Sequence, residues 1–252
     1  MKQIAFLLPI VLIALGSCQN DRKVSTIDQT LRIEQDEADT TIEVYTSWSK
    51  EPVLVQHVGE DFRPFIHPIV APDGRGVLTE NSPGHHLHQN GVYWGFTRVN
   101  GRDYFHHPGD NYWKRVSANV IEKEGATVQW QTVYNLLDEK GTPIMKQTQD
   151  WTMTQDSGRY FINLEWKGEA LTDITIGKYD YGGLFLRMPW KEGINGEVVN
   201  NARQKNGRAE GQRAMWVDVG MQVEGRDDLA HVAIFDHPEN RGYPQAWRVD
   251  GQ

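Results

Sequence analysis

The chain has one cysteine, no excess of basic residues and no long apolar run beyond residue 15. Each shortage removes a class of function. If the single thiol, Cys18, is consumed by acylation, no disulfide, Cys-based zinc site or Cys nucleophile remains. A formal net charge of -8 argues against nucleic acid and anionic lipid as partners, since both attract basic surfaces. The apolar run Ile4–Leu15 is shorter than the roughly 20 residues a spanning helix needs. No stretch of about twelve residues carries apolar positions at helical spacing. The G-x-S-x-G, P-loop, H-E-x-x-H and paired-glutamate signatures are missing too, which removes support for several large enzyme classes.

What is present begins with the N-terminus. Lys2, the apolar run and the small residues Leu15-Gly16-Ser17 before Cys18 form a secretory signal ending in a lipobox-like sequence. The expected organisation is a lipoprotein signal peptide over residues 1–17, a polar tether over 18–40 and one domain over 41–252. Cys18 is the expected lipidation site, since acyl chains on one residue give firm attachment. An ordinary signal peptide with a chance cysteine is the competing reading. Lipidation would place the domain in a bacterial cell envelope, on the periplasmic side or at the outer membrane, touching membrane only through its lipid.

Alternation then dominates. "TIEVYTS" (41–47) sets Ile42 and Val44 opposite Glu43 and Tyr45, and "ATVQWQTVYNL" (126–136), "KQTQDWTMTQ" (146–155) and "RYFINLEWKG" (159–168) follow as a three-strand meander. Residues 173–190, 214–225 and 229–238 read as further strands, and the polar stretch 191–213 as an exposed loop. The 24 glycines punctuate most junctions. The expected fold is all-β, an antiparallel β-sandwich, with the final strands expected to lie beyond residue 252.

"PGHHLHQNGVYWG" (83–95) concentrates histidine. On extended backbone His86 and His88 project together, with His85 and Leu87 opposite. Two imidazoles on one side, with a third group from elsewhere, suit a divalent metal or acid–base catalysis. A hydrogen-bonded loop leading into a strand is the plainer alternative. "NGRDYFHHPGDNYW" (100–113) returns after one strand, making His106 the favoured third group, with His107 close behind. The candidate catalytic set is His86, His88, His106 and Arg187, the first three doubling as candidate metal ligands. Trp94, Tyr93, Asp103 and His237 are candidate ligand-binding residues. Arg63 in "RPFIHP" and Arg187 in "GGLFLRMPW" suit either a ligand clamp or a buried salt bridge. For Asp236-His237-Pro238, a turn closing a strand is the ordinary explanation.

The blocks "RPFIHPIVAPDGRGVLTENSPGHHLHQNGVYWGFTRVNGRDYF", "YGGLFLRMPW", "AMWVDVGM" and "VAIFDHPENRGYPQAW" together resemble the DUF6807 family of bacterial secreted proteins, often labelled "methane oxygenase PmoA". The resemblance runs from about residue 42 to the end. Members commonly carry D-H-x-H-H, on which His86 and His88 match the two central histidines, while His85 stands for Asp and Gln89 for the last His. The resemblance implies a β-sandwich and an association with polysaccharide and glycoside use. The methane label is discounted, because a membrane-embedded monooxygenase needs spanning helices.

With nine Trp and nine Tyr on an acidic chain, a small carbohydrate or glycoside is the expected ligand. A sugar-active hydrolase or lyase, using His acid–base groups or a His-bound metal, is the first expectation. A non-catalytic carbohydrate-binding lipoprotein is the alternative, and an envelope protein without a small ligand the third.

Overall fold

The structure, a computed structural model, describes residues 30–36, 38, 40–84, 86–191 and 193–249. It is all-β, and among the described residues there is no α-helix, only one short 3-10 turn at Asn206–Arg208. Alternation builds the strands as read. In β2 (Thr41–Thr46) Ile42, Val44 and Thr46 are buried between half-buried neighbours, and in β10 (Arg159–Ala170) Tyr160, Ile162, Leu164 and Trp166 share the inner face.

The described residues form three sheets, antiparallel throughout. The largest joins β1 (Leu31–Gln35), β2, β3 (Leu54–His57), β4 (Phe65–Ile69), β5 (Val92–Gly95), β7 (Glu124–Gly125) and β11 (Gly183–Leu186) in the order β11-β5-β4-β3-β2-β1-β7. The second runs β10-β9-β8-β6, from β6 (Trp113–Glu122), β8 (Thr127–Leu137) and β9 (Pro143–Asp156). The third is β12 (Gly196–Asn200), β13 (Trp216–Gln222) and β14 (Leu229–Phe235). One core draws on all three, with Ile33, Val44 and Leu54 meeting Trp130, Trp151 and Met153, and Met221 and Ala230 closing it. Burying each of the larger side chains contributes about 1.5–3 kcal/mol.

Three expectations need correction. The tether read over 18–40 ends sooner, because Leu31 and Ile33 are fully buried in β1 and pair residue by residue with β2. Only two apolar residues in a charged setting signalled that strand. Residues 191–213 are not a single loop, since β12 and the 3-10 turn lie within them. Residues 173–190, read as strand, form one only at Gly183–Leu186. Cys18 and the signal lie outside the described residues.

The β11-β5-β4 edge carries the long connections 70–91, 96–112 and 171–182, so the histidine-bearing loops are anchored on one strand, β5. Gly91 sets the entry to it. Its φ is +56°, and a Cβ there would stand 2.0 Å from the Ile66 carbonyl oxygen. Gly141, at a hairpin tip, has a φ of +80° with nothing within 4 Å. Left-handed strain alone costs about 1–3 kcal/mol. Gly91→Ala is therefore expected to lower stability by clearly more than Gly141→Ala, the difference measuring the clash. Guanidinium denaturation midpoints check this, and equal losses would contradict it.

Candidate functional site

The first histidine loop is a pair of tight turns. The His86 N–H bonds the Pro83 carbonyl at 2.8 Å and the Gln89 N–H bonds the His86 carbonyl at 2.9 Å, while Ser82 N–H reaches the Gln89 carbonyl at 2.7 Å. The extended backbone expected for residues 83–89 is thus replaced by turns. His86 and His88 nevertheless converge, their ring centroids 5.9 Å apart and edge to face. Leu87, at 68 % exposure, is turned to solvent. His85 lies outside the described residues.

The second loop is organised by Asp103. One carboxylate oxygen accepts the N–H groups of Phe105 (3.0 Å) and His106 (3.1 Å), closing an Asx turn. The other accepts the Nδ1–H of His106 at 2.6 Å. Burial opposes the Asp103 charge, but the His106 and Phe105 donors outweigh it and hold the carboxyl below its ordinary range. With Nδ1 donating, Nε2 of His106 carries the lone pair and faces the Tyr181 hydroxyl at 3.3 Å. Burial and the neighbouring Tyr179 push the Tyr181 phenol up to about 12, so it is a donor at neutral pH.

His88 joins the two loops, its ring 4.6 Å from that of His106. Burial, then the positive potential of His106, Arg63 and His86, push its imidazole down to about 4 against the opposing pull of Asp103. It is therefore neutral at pH 7.

Beneath both loops lies Arg63, fully buried. Its guanidinium donates to the carbonyls of Phe105 (2.9 Å) and His88 (2.6 Å) and to Asn90 Oδ1 (3.0 Å), and lies 3.8 Å from the centre of the Tyr93 ring. Burial lowers it to about 10, which leaves it cationic. Of the two roles open to it in the sequence, it has neither: it clamps carbonyls, and no ion pair to it is seen among the described residues.

The other expected site residues divide. Asp103, expected to bind ligand, instead spends its carboxylate on His106 and the turn that follows it. Arg187 instead braces the first loop, pairing with Glu80 (3.0 Å) and bonding Gln89 Oε1 (3.1 Å), its side chain 14 % exposed. Tyr93 is 2 % exposed, with Arg63 over its ring and Phe185 stacked at 5.2 Å, so it offers no face to a sugar. Trp94 stacks on Trp166 at 4.4 Å and 8°, tying the first sheet to the second. His237 is exposed in a turn capped by Asp236, the ordinary reading of that stretch. His107 stacks on Tyr112. Among the described residues no group of three or more His, Cys, Asp or Glu side chains is arranged to hold a metal ion, so the metal set His86, His88 and His106 does not form. His106 is committed to Asp103 and Tyr181 instead. Tyr181 was missed, because "KYDYGG" carries no sign of which loop it meets. A shallow groove of about 320 Å³ lies apart from the cluster, lined by Thr40, Thr41, His57, Gly59, Phe62 and Phe65.

A family model described as a family of unknown function, DUF6807, matches residues 43–252. No curated protein and no solved structure matches the chain.

The depressed His88 makes stability depend on pH with a definite sign. As pH falls below about 6.5 an unfolded histidine takes up a proton that folded His88 refuses until about 4. The contribution is therefore present above about pH 6.5, lost on the way to about 4, and level below. His57 and His67, also lowered by burial, act alike in wild type and variant. Denaturation midpoints between pH 7 and 4 should fall more steeply for wild type than for His88→Asn. Parallel curves would contradict the assignment.

Proposed function

The chain belongs to the DUF6807 family, whose description assigns no reaction, and from its site we propose an extracytoplasmic, lipid-anchored enzyme that processes a carbohydrate or glycoside by imidazole acid–base chemistry. The observation that carries this is the chain Asp103–His106–Tyr181 with neutral His88 in ring contact beside it. Asp103 fixes the His106 tautomer, so the free Nε2 can hand a proton taken from solvent on to Tyr181. Tyr181 gives its own proton to the leaving or enolate oxygen and is restored through Nε2, while neutral His88 takes the proton lost by the attacking water or by the carbon beside the bond that breaks. Such positioned proton transfers are worth about 10²–10⁴-fold each. Both branches of the reading, hydrolase and lyase, use these groups alike, and no oxidant enters, which sets the proposal apart from methane oxidation.

An acidic chain rich in Trp and Tyr supports a sugar ligand over a nucleic acid. Among the described residues no helix is long and apolar enough to cross a membrane, and the proposed attachment is through Cys18 alone. A second reading, sugar binding without turnover, is favoured by the groove at Phe62 and Phe65, which offers aromatic surface outside the His88–His106 cluster.

Against a glycan panel, His106→Gln and Tyr181→Phe are each expected to lower kcat by about a hundredfold or more while leaving the melting curve nearly in place. Wild-type binding without turnover would favour the second reading, and unchanged rates in both variants would remove the first. For attachment, Cys18→Ser in a bacterial host should leave the precursor unprocessed or release the domain from the membrane fraction. A variant still processed and membrane-bound would contradict lipidation.

A further inference from the structure

A band of polar side chains that the acid–base chemistry does not use crosses the interior of the molecule. Along the inner faces of β8 and β9 the facing pairs Val128–Met153 and Trp130–Trp151 belong to one apolar cluster. Leu136–Met145 belongs to a second, which takes Phe96, Val99 and Tyr104 from the loop that carries His106. Between them stand Thr132 opposite Gln149 and Tyr134 opposite Gln147. Thr132 and Gln147 are 0 % exposed and Gln149 is 1 % exposed.

The two amides have their orientation imposed on them, because an indole N–H only donates. Trp151 Nε1–H donates to Gln149 Oε1 at 3.2 Å and Trp166 Nε1–H to Gln147 Oε1 at 3.1 Å, so each amide turns its NH2 group away from its indole. Neither NH2 group finds an acceptor among the described residues, and the Thr132 hydroxyl is without a partner there too. Gln56, also fully buried, differs: it accepts the Trp130 indole N–H and spends its NH2 group on the carbonyls of Phe65 and His57. Trp94 and Trp113, packed in the second cluster, add two more indole N–H groups without partners.

Donors are thus in excess of acceptors in this part of the core. A buried amide or hydroxyl without a hydrogen bond is costly, and polar sites of this kind are met by ordered water, which makes about three hydrogen bonds. Thr132 and Gln149 face each other across the β8–β9 ladder, where the Cβ atoms of such a pair stand about 5 Å apart, and Gln147 is the next inward residue on the same strand. All three lie within reach of one small molecule. Thr132, Gln147 and Gln149 carry no charge, so a neutral acceptor suits them better than an anion.

We infer that this band is a binding site for internal water, in which a molecule accepts an N–H from Gln147 and another from Gln149 and donates to the Thr132 hydroxyl oxygen. The inference is independent of the chemistry at His88 and His106. Water, rather than apolar contact alone, then joins the cluster under the His106 loop to the rest of the core.

The test is rotating-frame NMR on the full chain, with the glutamine side chains labelled with nitrogen-15 and the water resonance selected. The Nε2 protons of Gln147 and Gln149 are expected to show cross-relaxation with a long-lived water, of the sign that separates it from proton exchange, and those of Gln56 to show none. Thr132→Val, which removes one of the three anchors, should cost the Gln149 amide most of that signal. No signal on Gln147 and Gln149, one of equal strength on Gln56, or an unchanged signal in Thr132→Val would overturn the inference. Should Thr132→Val fail to fold, the contrast between Gln56 and the other two amides in wild type still decides. Crystals grown in bromide give a second measurement: a water within hydrogen-bond reach of both amides agrees with the inference, and an anomalous halide peak in its place overturns it in favour of an anion.

Discussion

Arg63 carries its charge into the interior with no carboxylate paired to it among the described residues, so the surrounding oxygens are what make it tolerable there. A buried charge costs several kcal/mol unless it is hydrogen-bonded on most sides. The carbonyls of His88 and Phe105, the Asn90 side chain and the face of Tyr93 meet that demand at the two terminal nitrogens and the face of the group, while Nε is buried without a hydrogen-bond partner. Each belongs to β5 or to a loop that flanks it. Keeping them aimed at one guanidinium fixes the paths of both loops, and the contact between the His88 and His106 rings follows from it.

The two imidazoles then acquire opposite environments from the same scaffold. His88 lies half inside, with the arginine charge near it as a lesser cause, so it stays neutral. His106 is supported by Asp103 and turned toward Tyr181. Neighbouring titratable groups whose surroundings differ in this way are suited to separate roles in proton transfer. Below them Tyr93, Phe105 and Phe185 form an aromatic floor, with Phe105 and Phe185 4.6 Å apart, which keeps the loops dry from the sheet side. The Glu80–Arg187–Gln89 bonds brace the outer side of the first loop. The geometry of the imidazole pair thus rests on residues outside the pair itself.

The sandwich was legible because period-two burial leaves a direct mark on sequence, and β2, β8, β9 and β10 carry it over long stretches. β1 and β12 were not, being five residues each with polar neighbours. His86 and His106 each meet the His88 ring, but on a backbone the sequence did not suggest: alternation pointed to an extended segment, whereas Pro83, Gly84 and the flanking Asn81–Asn90 bridge make turns. Trp94 and Tyr93 look like sugar platforms in sequence because aromatics serve cores and ligands alike, and only packing separates the two uses. Arg63 shows the same limit. Its bonds go to backbone carbonyls 25 and 42 residues away, which no side-chain pattern records.

The central claim is that the buried Arg63 guanidinium fixes the loops that bring His88 and His106 together and adds to the burial that keeps His88 neutral. Long-range nitrogen–proton NMR correlations on the imidazoles of wild type and Arg63→Met, followed from pH 7 to 4, test it directly. The account predicts that wild-type His88 stays neutral to about pH 4 and that His106 holds its proton on Nδ1. In Arg63→Met, the titration of His88 should move up from its wild-type position while burial still holds it below an ordinary histidine, and contacts between the two rings should weaken. A variant whose His88 titration and ring contacts match wild type would contradict the account.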